Sequence, residues 1–427
     1  MKEDMNIELG SKIKIKVRQD GQEREFEGMY IESPDKNTFL IKLKTGYNIG
    51  FDKKDILKLE VLEKPKKSEN KQEFEQDKKL PGIALIITGG TIASRVDYKT
   101  GGTYPVDDAS MFLSNSPELG KIARINKIET PFLVFSENLV FDHWKKLAKK
   151  VSDLLNKPDI KGVIILQGTD FLHYSAAALS FMLQDLGKPV ILTYSQRSID
   201  RGSSDAFLNL RCSFHAALSN IAEVIIVGHA STEDNFCYAL RGTKVRKMHS
   251  SRRDAFKAIN SEPLARIYDD GRIEKISEYR KRDENKKIKL NNEFDDRISL
   301  IKYYPGASPD ILKYYLDQGY KGIIIEGSGF GNVAYEGKHS WLPVLKEACK
   351  NAVVCMTTQT IYGRTNPRVY TTARLIEKTG VLYLDDMHAE TAFVKLGWIL
   401  GKEKDLDRVK MLMKENIAHE FNERLEE

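Results

Sequence analysis

From residue 83 onward, seven short apolar runs recur along the chain, at 83–88, 162–167, 190–193, 223–227, 322–325, 352–356 and 381–384, separated by longer amphipathic stretches. Continuous apolar runs of this length are strands buried on both faces, and strands alternating with helical patterns form a parallel sheet covered by helices. The stretch 170–186 is the clearest helix, because Leu172, Ala176, Leu179 and Leu183 recur near the helical period. The pattern predicts an α/β fold.

Residues 1–62 read differently. Lys12-Ile13-Lys14-Ile15-Lys16-Val17 alternates strictly, Phe39-Leu40-Ile41-Lys42-Leu43 is a second β-type run, and Asp20-Gly21, Ser33-Pro34-Asp35 and Thr45-Gly46-Tyr47-Asn48 supply turns. These features predict a small β-barrel. Residues 63–80 then turn to Glu, Lys, Gln and Asn, the composition of a charged linker. A second charged stretch at 268–297, containing Arg280-Lys281-Arg282-Asp283-Glu284, splits the α/β region into 81–267 and 298–427.

Charge and cysteine content narrow the function classes. There are 67 Lys+Arg against 61 Asp+Glu, so the net charge is only +6, too weak an excess to argue for nucleic-acid binding on its own. Residues 1–80 carry 18 basic and 17 acidic side chains, so the barrel has no strong electrostatic footprint. Four cysteines without a C-x-x-C pair and eight dispersed histidines without H-E-x-x-H give no zinc or other metal site. No run of about 18 apolar residues and no leader pattern is present, so a soluble, cytoplasmic protein with no membrane segment is expected.

In open α/β sheets ligands bind beyond the carboxyl ends of the strands, and the residues there are rich in hydroxyls and glycine. After the first run comes Thr88-Gly89-Gly90-Thr91-Ile92-Ala93, where paired glycines permit a tight turn that presents the Thr91 hydroxyl. After the second comes Gly168-Thr169-Asp170, leading straight into the 170–186 helix. Thr169 and Asp170 are therefore read in two ways, as helix caps or as holders of a charged substrate. Lys247, in Val245-Arg246-Lys247-Met248, is either a solvated surface charge or the base that a hydroxyl nucleophile needs.

Taken in this order, the motifs resemble the L-asparaginase/glutaminase family of threonine amidohydrolases over residues 81–427. The resemblance implies that Thr91 attacks a side-chain amide and that Thr169, Asp170 and Lys247 form a second hydrogen-bonded group with Lys247 as base. It implies that Tyr104, in Gly101-Gly102-Thr103-Tyr104-Pro105, sits on a lid beside Thr91, and that Ser136 and Glu137 contact the substrate α-carboxylate and α-amino groups. In Gly327-Ser328-Gly329-Phe330-Gly331-Asn332, Asn332 would reach a neighbouring protomer's site. The sequence departs from the family at Phe171, where a Thr usually follows Gly-Thr-Asp, and at Glu137, where Gln is common. The extra barrel, together with His173-Tyr174-Ser175-Ala176-Ala177-Ala178 after Gly-Thr-Asp, looks like the D-subunit family of archaeal glutamyl-tRNA(Gln) amidotransferases over the whole chain. That likeness implies a glutaminase that hands ammonia to the E-subunit of such an enzyme, with ATP, Mg²⁺ and most tRNA(Gln) contacts in that partner, no cofactor here, and a homodimer within a heterotetramer. A free-standing cytoplasmic L-asparaginase and a catalytically degenerate RNA-associated scaffold are the competing expectations.

Overall fold

The computed structural model describes residues 7, 10–19, 21–31, 33, 35, 37–43, 48–64, 77, 79–96, 103–105, 117–199, 201 and 203–424. Five antiparallel strands form the N-terminal unit: Lys12–Gln19, Gln22–Ile31, Thr38–Leu43, Asn48–Asp52 and Ile56–Glu63. The fifth strand returns to pair with the free edge of the first. The alternating sequence explains the first strand's two faces. Ile13, Ile15 and Val17 are fully buried, whereas Lys14 and Lys16 point outward to Glu25 at 2.8 Å and Glu23 at 2.7 Å on the next strand. Phe26, Tyr30, Phe39, Ile41, Phe51, Ile56 and Leu59 join those three in one core, so side chains from all five strands converge as in a barrel. Among the described residues the fourth and fifth strands do not pair with each other, so the sheet is coiled without a closing ladder.

The larger α/β unit is an eight-stranded sheet. From edge to edge its strands are Ile273–Lys275, Ala265–Ile267, Cys237–Arg241, Val224–His229, Val190–Thr193, Val163–Leu166, Gly82–Ile87 and Arg124–Glu129. The five strands from Val224–His229 onward are parallel, as the apolar runs predict. The other three are antiparallel. The charged stretch at 268–297 thus contributes an edge strand, and it is stapled down by Arg282, whose guanidinium donates to the Lys161, Ala217 and Ser219 carbonyls at 2.7–2.9 Å. A smaller parallel sheet follows, in the order Ile298–Lys302, Gly322–Gly327, Val353–Thr358 and Leu382–Tyr383.

The helix expected over 170–186 runs instead from Leu172 to Met182. Its C-terminal end is displaced because Leu183–Gln184 pairs with Lys289–Leu290, after which Asp185 adopts a left-handed φ of +57°. Buried Ala176, Ala177 and Ala178 make this helix slim, and it packs closely on the helix Ala389–Lys402 of the C-terminal unit, where Phe181 stacks on Trp398. The two units therefore share a core. They are further joined by a buried ion pair, Lys244 to Asp386 at 2.5 Å.

Candidate active site

Three loops at the carboxyl ends of neighbouring strands meet backbone against backbone. Gly89 and Gly90 hold φ values of +115° and +88°, a region that side-chain-bearing residues rarely adopt. Space is as restrictive as conformation here. A Cβ on Gly90 would lie 2.3 Å from the Gly168 nitrogen, one on Gly168 would lie 2.4 Å from Ser136 Oγ, and one on Gly89 would lie 2.5 Å from the Val134 carbonyl oxygen. Thr88 stitches the loops together: its backbone N–H and hydroxyl both donate to the Leu166 carbonyl, and its own carbonyl accepts from Val134. A Gly90→Ala variant is therefore expected to lose turnover by at least ~10²-fold, since misplacement by about 1 Å costs that much. Steady-state kinetics on the purified, folded variant check this, and a variant within threefold of wild type would contradict it.

Lys247 reaches this junction from the other side. It ends a short strand, Val245–Lys247, that pairs with Phe256–Ala258, and its Nζ donates to Thr169 Oγ1 at 2.7 Å and Asp170 Oδ1 at 2.6 Å. Thr169 in turn lies 3.4 Å from Asp170 Oδ1. The capping interpretation of Thr169 and Asp170 fails, because the helix begins after Phe171 with no side-chain cap, while the Asp170 carboxylate faces Lys247. Nor is Lys247 a solvated surface charge. Its side chain is 9% exposed, whereas that of Asp170 is 64% exposed, so the pair has a closed cationic end and an open anionic end that an ammonium group can approach.

The remaining expected residues fall into place unevenly. Thr91 opens a 3₁₀ turn, Thr91–Ala93, and is half-buried beside the Gly90–Gly168 contact; among the described residues no hydrogen bond joins it to Lys247. Ser136 is buried with its hydroxyl against Gly168, and Glu137 is exposed on the same turn, Ser136–Asn138. The backbone of Tyr104 lies in a strand, Thr103–Pro105, opposite Arg95, while its side chain and Gly101-Gly102 lie outside the described residues. Asn332 closes the Ser328 bridge and accepts from Thr372 Oγ1 at 3.1 Å; within this chain the described residues show no bond from it to the Lys247 group.

Behind the helix start lies a set of buried polar groups that sequence reading missed. Gln167 donates to Ser175 Oγ at 2.9 Å, and Trp144 donates to the same oxygen at 2.9 Å. His173 is packed against Tyr174 and Phe256, and burial pushes its imidazole down to about 3, against the opposing pull of Glu390. The unfolded chain therefore binds a proton on His173 below its ordinary value near 6.5, whereas the folded chain stays neutral until about 3. Stability is thus lost as pH falls through that window, at a slope on the order of 1 kcal/mol per pH unit. A His173→Gln variant is expected to flatten the acid limb of a urea-midpoint-versus-pH curve between those values; an unchanged limb would contradict the assignment. Nothing in the local sequence separates His173 from an exposed helical histidine.

Comparison with known proteins follows the same division of the chain. The family model for the N-terminal asparaginase domain matches residues 82–280, that for the glutaminase/asparaginase C-terminal domain matches 297–413, and that for the GatD N-terminal domain matches 7–62. The glutamyl-tRNA(Gln) amidotransferase D-subunit of Pyrococcus horikoshii is 44% identical over 426 residues, covering 98% of this chain and 96% of that one. Its counterpart in Methanothermobacter thermautotrophicus is 43% identical over 407 residues, covering 93% and 91%. Among solved structures, the thermostable L-asparaginase from Thermococcus kodakarensis superposes with a TM-score of 0.71 at 29% identity, covering 80% of this chain and 100% of that one. L-asparaginase I from Vibrio cholerae gives 0.70 at 27% identity, covering 80% and 99%.

Proposed function

Because the chain belongs to the D-subunit family of glutamyl-tRNA(Gln) amidotransferases, built on the asparaginase fold, we propose that it is the glutaminase component of the enzyme that converts Glu-tRNA(Gln) to Gln-tRNA(Gln). One observation carries the chemistry: Lys247 Nζ lies 2.7 Å from Thr169 Oγ1 and 2.6 Å from Asp170 Oδ1, on a loop packed directly against Gly90 and hence beside Thr91. Thr91 Oγ bonds to the amide carbon of glutamine, and its proton passes through the Lys247 group to the departing nitrogen. The C–N bond breaks, ammonia leaves, and a glutamyl ester remains on Thr91. Water then adds to the ester, returning a proton to Thr91 Oγ and releasing glutamate. Asp170, open to solvent, receives the substrate ammonium, and Ser136 and Glu137 line its far side. Tyr104 closes over Thr91, and Asn332 completes the site of a second copy in a homodimer.

The N-terminal unit at residues 7–62 favours the amidotransferase over a free-standing asparaginase, whose whole length is covered by only 80% of this chain. Ammonia set free in water is protonated and lost as a nucleophile, so the glutaminase docks on the protein that activates glutamate. That partner is the amidotransferase E-subunit, which supplies the ATP and Mg²⁺ chemistry and the main tRNA(Gln) contacts within a heterotetramer. No helix of the described residues is long and apolar enough to cross a membrane. The protein acts in the cytoplasm, where its charged tRNA substrate is made and used. Glutamine labelled at its amide nitrogen, supplied to the complex with glutamylated tRNA, is expected to pass the label into tRNA-bound glutamine. Label recovered only as free ammonia would overturn the reading.

A further inference from the structure

We infer that Glu390 is a positioning residue for the Lys247 amine, acting through Arg246, so that the C-terminal unit holds the catalytic base of the N-terminal unit in place. This role rests on the glutaminase reading. Lys247 ends a three-residue strand whose ladder to Phe256–Ala258 is equally short, and so small a ribbon is placed by whatever grips it. Several grips come from the C-terminal unit, beside those of its own unit, where Lys257 Nζ donates to the Ala230 carbonyl and Phe256 packs on Tyr194 and His173. Thr243 accepts at its carbonyl from Thr391 Oγ1 at 3.0 Å and donates its hydroxyl to the Ala418 carbonyl at 2.8 Å, while Lys244 pairs with Asp386. On the returning side, Asn260 exchanges bonds with both the N–H and the carbonyl of Gly363 and donates to the Asp386 carbonyl.

The contact adjoining the base is Arg246 Nε to Glu390 Oε1 at 2.6 Å. Successive strand residues point to opposite faces, so Arg246 and Lys247 are levers on the two sides of one backbone. Glu390 is itself held at both oxygens. Its Oε2 lies 3.1 Å from His388 Nδ1, and His388 Nε2 lies 3.0 Å from the same Thr391 hydroxyl that bonds Thr243. Burial works against a charge on Glu390, yet the hydrogen bond and charge of His388 and the charge of Arg246 hold its carboxyl well below the ordinary range. A fixed carboxylate therefore grips the residue next to the base, from the helix Ala389–Lys402 that packs along the helix following Thr169 and Asp170. Small shifts of the C-terminal unit reach the 2.6–2.7 Å contacts of Lys247 by this route.

The test uses the full chain in its amidotransferase complex, with glutamine hydrolysis as the readout. Glu390→Gln keeps the shape and removes the charge; it is expected to lower kcat about tenfold with KM within twofold. Glu390→Asp, which restores the carboxylate, is expected to recover at least half of that loss. Trp341→Phe serves as the stability control, because Trp341 bonds the Ala307 carbonyl in a C-terminal core that, among the described residues, includes none of the ribbon. It is expected to lower the melting temperature while leaving kcat within twofold. An unchanged kcat in Glu390→Gln, or an equal loss in Trp341→Phe, would overturn the inference. A wild-type complex unable to hydrolyse glutamine would instead overturn the glutaminase reading.

Discussion

Thr91→Val, which keeps the branched shape and removes only the hydroxyl, is expected to lower glutamine turnover by ~10³-fold or more. The covalent route splits amide hydrolysis into two easier steps, and without Oγ neither step exists. Thr91 is half-buried on a 3₁₀ turn and its loop is fixed by Gly89, Gly90 and Thr88, so valine fits without disturbing the neighbours. The melting temperature should stay near that of wild type. Ammonia release checks the first point and calorimetry the second. Activity within tenfold of wild type would remove Thr91 from the reaction and leave Thr169, whose hydroxyl is bonded to Lys247, as the candidate nucleophile.

Lys247→Met is expected to lower kcat by about 10²–10⁴-fold, the usual range for removing an acid–base group. Methionine fills the volume of the stem, which is largely buried, but carries no donor for Thr169 Oγ1 or Asp170 Oδ1. Asp170 is mostly open to water, so losing its partner leaves a hydrated rather than a buried charge, and the fold is expected to survive. A distinguishing feature is the effect on binding. With Asp170 released from Lys247, the substrate ammonium gains an unshared carboxylate, so KM should fall or hold while kcat collapses. A rise in KM with kcat preserved would make Lys247 a substrate-binding residue and not a base.

Much of this architecture was legible because burial writes a period into the sequence. The seven apolar runs fall on strands of the two sheets, and the Lys-Ile alternation at 12–17 gives a strand with a charged and an apolar face. Thr169, Asp170 and Lys247 stand together in space as the motifs imply, although 77 residues separate Asp170 from its partner. What escaped is equally physical. The antiparallel strands Cys237–Arg241, Ala265–Ile267 and Ile273–Lys275 are short and partly polar, so they lack an apolar run. The end of the helix at Met182 depends on a strand partner more than a hundred residues away, at Lys289–Leu290. Glu390 looked like any helix-start acid, and only the fold brings it to Arg246, 144 residues earlier in the chain.

The glycines show the same limit from the other direction. Gly-Gly-Thr after a strand is a common turn, and nothing local says that Gly90 must lack a Cβ because Gly168 lies against it. The weak net charge of +6 likewise takes on meaning from the proposed assembly: with the phosphate-binding surface mainly on the partner, a strongly basic chain is not required.

The most direct test of the proposed function is the rate of ammonia release from glutamine and from asparagine, measured on the full chain alone, with its partner protein, and with the partner plus glutamylated tRNA(Gln). A tRNA-dependent glutaminase should show slow release by the chain alone, a preference for glutamine in the complex, and a marked rise when the tRNA is added. Rapid, partner-independent hydrolysis with asparagine as the better substrate would contradict it and make the protein a free-standing asparaginase.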